Sequence, residues 1–245
     1  MLAKLLSDMI TSYAPGVSRK SQQPELVRVL ESAARLQQLV PNAVLVGGSA
    51  AAWHAGHRIS FDHDHVLVDL NQRFDSVLEA LEADPEFVLN CAAHGKIILG
   101  ELGGIETGIR QLIRTVPLET ERIALPSGHT LVVPTIAEAL RIKAYLALKR
   151  NQTRDYLDIA ALASDLGIDN AARVLRDIDR FYADVARGED AVCSQLARQF
   201  AAPQPRDVSV TRELKRYKGI QPPWDSWVNV CAALGALSAA MVGED

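Results

Sequence analysis

Two aspartates separated by one residue, Asp62 and Asp64, are the side chains of this sequence best suited to chemistry. They lie in an extended stretch, FDHDHV, in which successive side chains alternate between the two faces of a strand. Both carboxylates therefore point the same way, about 6.6 Å apart along the backbone. Their negative charges repel each other, and hard divalent cations, which prefer oxygen ligands, neutralise them. The spacing predicts that Asp62 and Asp64 hold one or two Mg²⁺ ions, with Mn²⁺ as an alternative.

A turn suited to phosphate binding precedes the acid pair. The short apolar run 43–46 ends at Gly47 and Gly48, and Ser49 is placed to cap an alanine-rich helix that continues to His57. Free backbone amides at a helix N-terminus are a seat for phosphate. A phosphate seat followed by paired acids is typical of metal-assisted phosphoryl or nucleotidyl transfer. The alternatives are a plain tight turn for the glycines and a solvated polar strand face for the acids.

The stretch GGSAAAWHAGHRISFDHD resembles the nucleotidyltransferase motif of the DNA polymerase β superfamily, in which a Gly-Gly/Ser turn precedes Asp-x-Asp. More narrowly, it resembles the AbiEii-type branch, in which a helix with a histidine and then Arg-x-Ser-x-Asp-x-Asp follow the glycines. A second block, VPTIAEALRIKAYLALKRNQTRDYLDIAAL, is similar to that branch's lysine helix, arginine and Arg-Asp-x-x-Asp helix. The resemblance covers roughly residues 43–165. His63 departs from it, because an apolar residue is more common between the two acids.

The resemblance implies a fold, an activity and a set of site residues. The implied fold is α+β, with a polymerase-β-type mixed sheet flanked by helices and followed by a helical C-terminal domain. The implied reaction is transfer of a nucleoside monophosphate from an NTP to an acceptor hydroxyl. An RNA such as a tRNA end would be the acceptor, and the setting would be a toxin–antitoxin or abortive-infection system with an antitoxin protein as partner. The candidate catalytic residues are Asp62, Asp64, Glu106 and Lys143, and the candidate nucleotide-binding residues are Gly47, Gly48, Ser49, Arg58, Ser60 and Asp155.

Glu106 is assigned as a third carboxylate, which this superfamily usually supplies from a neighbouring strand. It is the only acid in the predicted strand 105–115. In that role Glu106 would hold the second metal ion and act as base toward the acceptor.

Two charged residues lie in the middle of apolar helix stripes in the second block. Thr135 and Glu138 form a capping box, so a helix is expected to start there. Lys143 lies mid-stripe on this helix, and Asp155 lies mid-stripe on the next. Charges in such places must be paired or bind a ligand, because burial of a lone charge is costly. Lys143 and Asp155 therefore form a buried ion pair, or Lys143 balances the triphosphate charge; Asp158, at the stripe edge, is predicted to be structural.

A zinc site is an alternative, since four of the six histidines lie between residues 54 and 65. His54 and His57 could share a helix face, and His63 and His65 share a strand face. No cysteine or HExxH-like arrangement supports a zinc site.

Other function classes also stay open. One is a nucleotide-binding regulatory protein that has the fold but no transfer activity, and another is an aminoglycoside-type small-molecule nucleotidyltransferase. The basic group Arg212, Lys215, Arg216 and Lys218 is predicted to be a solvated face, with an RNA contact as the alternative.

Composition narrows the partners. The chain has 245 residues, 48% of them hydrophobic and 23% charged, as in ordinary globular proteins, and its net charge is −4. Stable duplex DNA binding is not expected, because it usually requires a basic excess. Three widely spaced cysteines give neither a disulfide framework nor a zinc-type CxxC pair, which favours a reducing compartment. The most apolar stretch, 227–242, is shorter than a membrane span of about 20 residues, so we expect a cytoplasmic protein without a membrane partner.

Apolar periodicity predicts the elements that must position these residues. Residues 1–134 are expected to form an N-terminal helix and a nucleotidyltransferase α/β domain, and residues 135–245 a helical domain. The predicted helices include 74–83, 136–150, 154–166, 170–187, 190–200 and 224–241, with a helical pattern over 1–40. The predicted extended segments are 43–46, 59–70, 96–99, 105–115, 122–125 and 130–133.

Overall fold

The computed structural model describes residues 23–183 and 191–243. In the N-terminal part, helices α1 (Pro24–Leu39), α2 (Gly47–Ala55) and α3 (Leu70–Glu82) surround a five-stranded sheet. Its strands are β1 (Val44–Val46), β2 (His63–Leu67), β3 (Phe87–Ala93), β4 (Ile97–Leu102) and β5 (Ile105–Gln111). The spatial order is β1-β2-β5-β4-β3, with β2 and β5 parallel and every other pair antiparallel. A separate two-stranded sheet, β6 (Thr120–Ala124) and β7 (Thr130–Pro134), follows.

The two faces of the five-stranded sheet differ, because strand side chains alternate. On one face Leu67, Ile98 and Ile109 are buried against helix α3 and form one core cluster with Phe74. On the other face lie Asp64 and its register partner Gly108, and this face meets the C-terminal helices. The alternation that hides the apolar residues thus turns the acid to a cleft.

The remainder of the described chain is helical. Its helices are α4 (Ile136–Arg150), α5 (Thr153–Leu166), α6 (Ile168–Arg176), α7 (Asp179–Tyr182), α8 (Val192–Ala201), α9 (Val208–Arg212) and α10 (Trp227–Val242). They enclose a separate core cluster, to which helix α2 contributes Ala51. The fold is therefore α+β, a mixed sheet flanked by helices and followed by a helical C-terminal part, as the sequence predicts. The exact domain division at residues 134 and 135 stays a prediction, although β7 ends at Pro134 and α4 begins at Ile136.

Most predicted elements are present, with informative exceptions. Helix α2 begins at Gly47, so Ser49 lies inside the helix and does not cap it. Strand β3 was not predicted; its side chains are mostly exposed because it is an edge strand, so they show no clear apolar alternation. The predicted helix 170–187 is broken into α6 and α7 as far as the structure describes it, and the pattern over residues 1–22 lies outside the described residues. Among the described helices, none combines the length and apolar character that crossing a membrane requires.

Candidate active site

A cleft of about 300 Å³ lies between the open face of the sheet and the C-terminal helices. The acid pair, Asp62 and Asp64, lines it together with the turn Gly47–Gly48. Cationic side chains of both parts of the molecule also line it: Arg58, Arg110, Arg114, Lys143, Arg150, Arg154 and Lys218. The cleft thus joins the predicted metal-binding acids to a positive wall suited to phosphate.

Glycines on both sides leave space beside the carboxylate of Asp64. On the neighbouring strand β5, a Cβ atom at Gly108 would lie 2.9 Å from Oδ1 of Asp64. In the turn, Gly47 has a left-handed φ of +77°, and a Cβ atom there would lie 3.4 Å from Oδ2 of Asp64. The sequence analysis did not single out Gly108, because its value depends on the register that places it opposite Asp64.

The two acids of the pair differ in protonation. Burial favours the neutral form of Asp62, but the Ser60 hydroxyl, which donates to Oδ1 of Asp62 over 2.7 Å, and nearby Lys218 hold its pKa below the ordinary value. The pKa of Asp64 is raised, by burial and by the negative charge of Asp62, although Arg110 at 3.8 Å opposes the shift. Asp64 therefore lacks the full positive compensation that a folded carboxylate normally finds.

This arrangement fits Mg²⁺. The donors are carboxylate oxygens, the space beside Asp64 is kept open, and the raised pKa of Asp64 marks uncompensated negative charge. Among the described residues, no group of three or more His, Cys, Asp or Glu side chains forms a metal cage. Mg²⁺ does not require one, because it commonly binds through one or two carboxylates together with water and substrate phosphates.

The Gly-Gly turn is packed against the polar residues that follow it. A Cβ atom at Gly48 would lie 2.4 Å from Oγ of Ser60 and 2.7 Å from Nη2 of Arg58. Gly47, Gly48, Arg58 and Ser60 all line the cleft, so the structure brings these four predicted residues together beside the acid pair. Because helix α2 begins at this turn, its N-terminal amides lie at the cleft.

Ser49 does not take the predicted role of a phosphate ligand through its side chain. It is fully buried, and its hydroxyl donates to the backbone carbonyl of Asp62 over 2.5 Å. The side chain therefore fixes the backbone that carries the acid pair.

Glu106 is not brought into the cleft. Its side chain is exposed, and its register partner on strand β4 is Glu101. Gly108, and not Glu106, is the residue of β5 directly opposite Asp64. The role of Glu106 as metal ligand and base therefore has no contact to support it and stays a prediction.

The charged residues of helices α4 and α5 meet, but their centre is Asp158. Nζ of Lys143 lies 2.6 Å from Asp158 and 3.9 Å from Asp155. Arg58 donates to both oxygens of Asp158 over 2.8 and 3.0 Å, and Nε2 of His57 lies 2.7 Å away. Asp158 is 0% exposed, and the charges of Arg58 and Lys143 hold its pKa well below the ordinary value despite burial. The predicted pairing of Lys143 with Asp155 is thus only the longer of two contacts.

Asp155 is the less compensated of these two acids. Arg150 donates to its Oδ1 over 3.0 Å, while Oδ2 is buried without a hydrogen-bond partner among the described residues. Burial, together with the charge of Asp158, raises its pKa. Asp155 does not line the cleft itself, so its predicted contact with the nucleotide is replaced by an indirect one through Arg150 and Lys143.

The four histidines of the zinc alternative lie in different surroundings. His54 contacts the backbone carbonyl of Pro134, and His57 contacts Asp158. His63 and His65 are fully buried on the covered face of β2, and burial lowers the pKa of His63 to about 4. The structure therefore gives no support to a zinc site at these residues.

The far end of the cleft is apolar and aromatic. Tyr145 and Tyr182 stack with ring centroids 4.1 Å apart and both line the cleft, as does Ile113, whose side chain is 63% exposed. Arg114 lies beneath this end and is held by Glu138 at 2.7 Å. These residues were not predicted, because only the packing of α7 on α4 brings the rings together.

Lys218 is another cleft residue that the sequence analysis missed. It belongs to the basic group predicted to be a solvated face, and that prediction is wrong for this residue. The backbone N–H of Ile59 donates to the carbonyl of Lys218 over 2.9 Å, and that of Gln221 donates to the carbonyl of His57 over 2.8 Å. These contacts join a segment near the C-terminus to the residues just before the acid pair, and no local pattern encodes them.

No family model matches the chain. Among curated proteins, it is similar to "Heme uptake protein MmpL11" of Mycobacterium tuberculosis, with 32% identity over 205 residues that cover 74% of this chain. "Mycolic acid-containing lipids exporter MmpL11" of Mycolicibacterium smegmatis is 42% identical over 94 residues, covering 38% of this chain and 10% of that protein. The chain spans about a fifth of the length of the first of these relatives, 20%.

Solved structures with a similar fold include three proteins related to nucleotidyl transfer. A Helicobacter pylori protein described as a candidate nucleotidyltransferase aligns with 92% of this chain and 96% of its own, at 14% identity and a TM-score of 0.48. The antibiotic-resistance factor ANT(2'')-Ia gives 13% identity, coverage of 65% and 94%, and a TM-score of 0.46. JHP933 from Helicobacter pylori gives 16%, 89% and 92%, and 0.44. These TM-scores lie below 0.5, so the function is argued below from the side chains of the cleft.

Proposed function

We propose that the chain is a Mg²⁺-dependent nucleotidyltransferase of the polymerase β type, which moves a nucleoside monophosphate from an NTP to an acceptor hydroxyl. The observation that carries this proposal is the acid pair in its cleft. Asp62 and Asp64 point into a space that Gly47 and Gly108 keep open, and cationic side chains surround it. Paired acids beside a positive wall bind a polyphosphate together with a divalent cation, and neither binds well without the other.

The residues of the cleft divide the work of binding. Asp62 and Asp64 would hold Mg²⁺, which when bound supplies positive charge that neutralises the phosphates. The amides at the Gly47–Gly48 turn and the guanidinium of Arg58 face phosphate oxygens. Arg58 and Lys143 are held in place by Asp158, so they are oriented before the substrate arrives. Such preorganised charge is the main source of catalysis in phosphoryl transfer.

The apolar end of the cleft is suited to the nucleoside. Ile113 and the stacked pair Tyr145 and Tyr182 offer a surface on which a flat base can pack and from which water is excluded. In the transfer step, a bond forms between the acceptor oxygen and the α-phosphorus as the bond to the bridging oxygen breaks. The acceptor proton passes to water, and the electron pair leaves with pyrophosphate.

The acceptor and the biological setting are proposed from the AbiEii-type resemblance. We propose an RNA acceptor, such as a tRNA end, and the role of a toxin that an antitoxin protein restrains in the cytoplasm. Glu106 is retained within this proposal as a candidate base only if the acceptor-bound state brings it nearer to Asp64.

The test is a transfer assay with each α-³²P-labelled NTP and Mg²⁺, supplied with total cellular RNA, a pool of small hydroxyl compounds, or no acceptor. We expect label on RNA with wild type, none with Asp64→Asn, and full activity with Asp165→Asn, an exposed control on helix α5. Label on the small compounds would replace the RNA acceptor by an aminoglycoside-type substrate. Tight NTP binding with no label in any pool would contradict transfer and support the regulatory alternative.

A further inference from the structure

The cations that line the cleft fall into two groups. Five of them have a carboxylate within 4 Å: Arg58, Arg110, Arg114, Lys143 and Arg150. Arg154 and Lys218 have neither an ion pair nor a side-chain hydrogen bond within the described chain. Since a positive side chain in a cleft is normally compensated, these two are available to an anion that the protein itself does not provide.

Arg154 lies in the first turn of helix α5, next to the acids of that helix. Its side chain is half-buried, and its Nε is buried with no hydrogen-bond partner among the described residues. An unpaired buried donor of this kind is rare in folded proteins and marks a site for a ligand or an ion. Because Arg154 also lines the cleft, the group that satisfies it would come from the cleft.

Lys218 is held at the cleft by a strap, residues 217–221, which crosses from the helical part to the turn before the acid pair. Two backbone hydrogen bonds to His57 and Ile59 fix its ends, and Gly219 packs so closely that a Cβ atom there would lie 2.8 Å from Cδ1 of Ile59. Lys218 has a φ of +38°, a conformation that costs free energy for a lysine. Strain of this kind persists where the position of the residue matters.

We propose that Arg154 and Lys218 form a subsite for the pyrophosphate portion of the NTP, a role that rests on the proposed function of this cleft. Lys218 is close enough to Asp62 to influence it electrostatically, so the subsite adjoins the metal-binding acids. The planar guanidinium of Arg154 and the ammonium of Lys218 contact the β- and γ-phosphates, and they hold pyrophosphate after transfer. A nucleoside monophosphate has no group that reaches this subsite.

The subsite is tested by equilibrium binding of inorganic pyrophosphate, the four NTPs and the four matching monophosphates, all with Mg²⁺. The variants are Arg154→Gln and Lys218→Asn, since asparagine tolerates the left-handed conformation, together with Lys218→Gly, which removes the strain and the charge together. Arg212→Gln and Lys215→Asn are matched controls, because both residues are exposed and lie outside the cleft. Melting temperatures show whether each variant is folded.

We expect each subsite variant to lose about tenfold or more in affinity for pyrophosphate and for the preferred NTP, as for loss of one hydrogen bond to a charged group. Monophosphate affinity and both controls should match wild type. Unchanged pyrophosphate affinity in folded Arg154→Gln and Lys218→Gly would overturn the subsite and leave the proposed function standing. Equal losses for monophosphate and triphosphate would also overturn it. Wild type that binds neither pyrophosphate nor any NTP would overturn the proposed function itself.

Discussion

Two carboxylate centres lie close together in this protein and behave in opposite ways. Asp158 is 0% exposed and is bound by His57, Arg58 and Lys143, which together hold its pKa well below the ordinary value. The side chain of Asp64 is 37% exposed, has one cation at 3.8 Å, and has a raised pKa. One centre is complete within the protein, whereas the other is left incomplete.

The difference separates a structural role from a binding role. A buried acid with all of its partners present stabilises the fold and positions the cations that surround it. A partly exposed acid with too few partners is available to a metal ion and is destabilising until the ion binds. Burial and charge alone would have placed both acids in one class, and only the completeness of their contacts distinguishes them.

The largest stability effect is expected at the complete centre. Asp158→Asn leaves Arg58 and Lys143 buried without a negative partner, and it should lower the free energy of unfolding by about 3–5 kcal/mol. Urea denaturation measures the loss, with Asp165→Asn on the same helix as control, expected within about 0.5 kcal/mol of wild type. A loss below about 1 kcal/mol for Asp158→Asn would show that the centre is not structural.

The pH dependence of stability should come from the same centre. The folded pKa of Asp158 lies below its unfolded value, so its stabilisation is fully present above the unfolded pKa of about 3.9. That stabilisation is lost as the pH falls through the folded pKa. Urea midpoints between pH 7 and pH 3 should therefore fall less steeply in Asp158→Asn than in wild type. Parallel curves would contradict the low pKa.

A double-mutant cycle distinguishes the two acids that face Lys143. Because Lys143 is 2.6 Å from Asp158 and 3.9 Å from Asp155, we expect the larger coupling energy with Asp158, about 1.5–3 kcal/mol. The cycles combine Lys143→Met with Asp158→Asn and with Asp155→Asn, and unfolding free energies are compared. Larger coupling with Asp155 would restore the pairing predicted from the sequence.

The turn at the incomplete centre should tolerate no side chain. Gly48→Ala places a Cβ atom 2.4 Å from Oγ of Ser60 and should lower stability by about 1–3 kcal/mol and weaken NTP binding. Gly235→Ala, in helix α10 with nothing within 4 Å of the added atom, is the control and should stabilise by about 0.5–1 kcal/mol. A Gly48→Ala protein with wild-type stability and NTP affinity would remove the turn from the site.

The sequence predicted what local spacing can encode. The parity of Asp62 and Asp64, the glycine turn beside them and the burial of Lys143 all follow from strand and helix periods. Asp158 as the charge centre could not be predicted in this way, because two of its partners come from about 100 residues earlier in the chain, at separations of 101 and 100.

Tertiary contacts also explain the other failures. Lys218 reaches the cleft only through the strap, and its neighbours in sequence remain exposed, so composition favoured a solvated face. Glu106 was chosen as the only acid of its strand, but the register places Gly108 opposite Asp64. The hydroxyl of Ser49 is taken by a carbonyl that lies 13 residues away in the sequence, at Asp62.

The most direct measurement is the Mg²⁺ dependence of NTP affinity in wild type and Asp64→Asn, with a melting curve of each. For wild type we expect NTP to bind at least tenfold more tightly in Mg²⁺ than in EDTA. In Asp64→Asn that difference should vanish, with stability equal to wild type or up to about 0.5 kcal/mol higher, because the variant removes a charge whose raised pKa shows that folding disfavours it. An Asp64→Asn protein that is clearly less stable and still binds NTP in a Mg²⁺-dependent way would contradict the account.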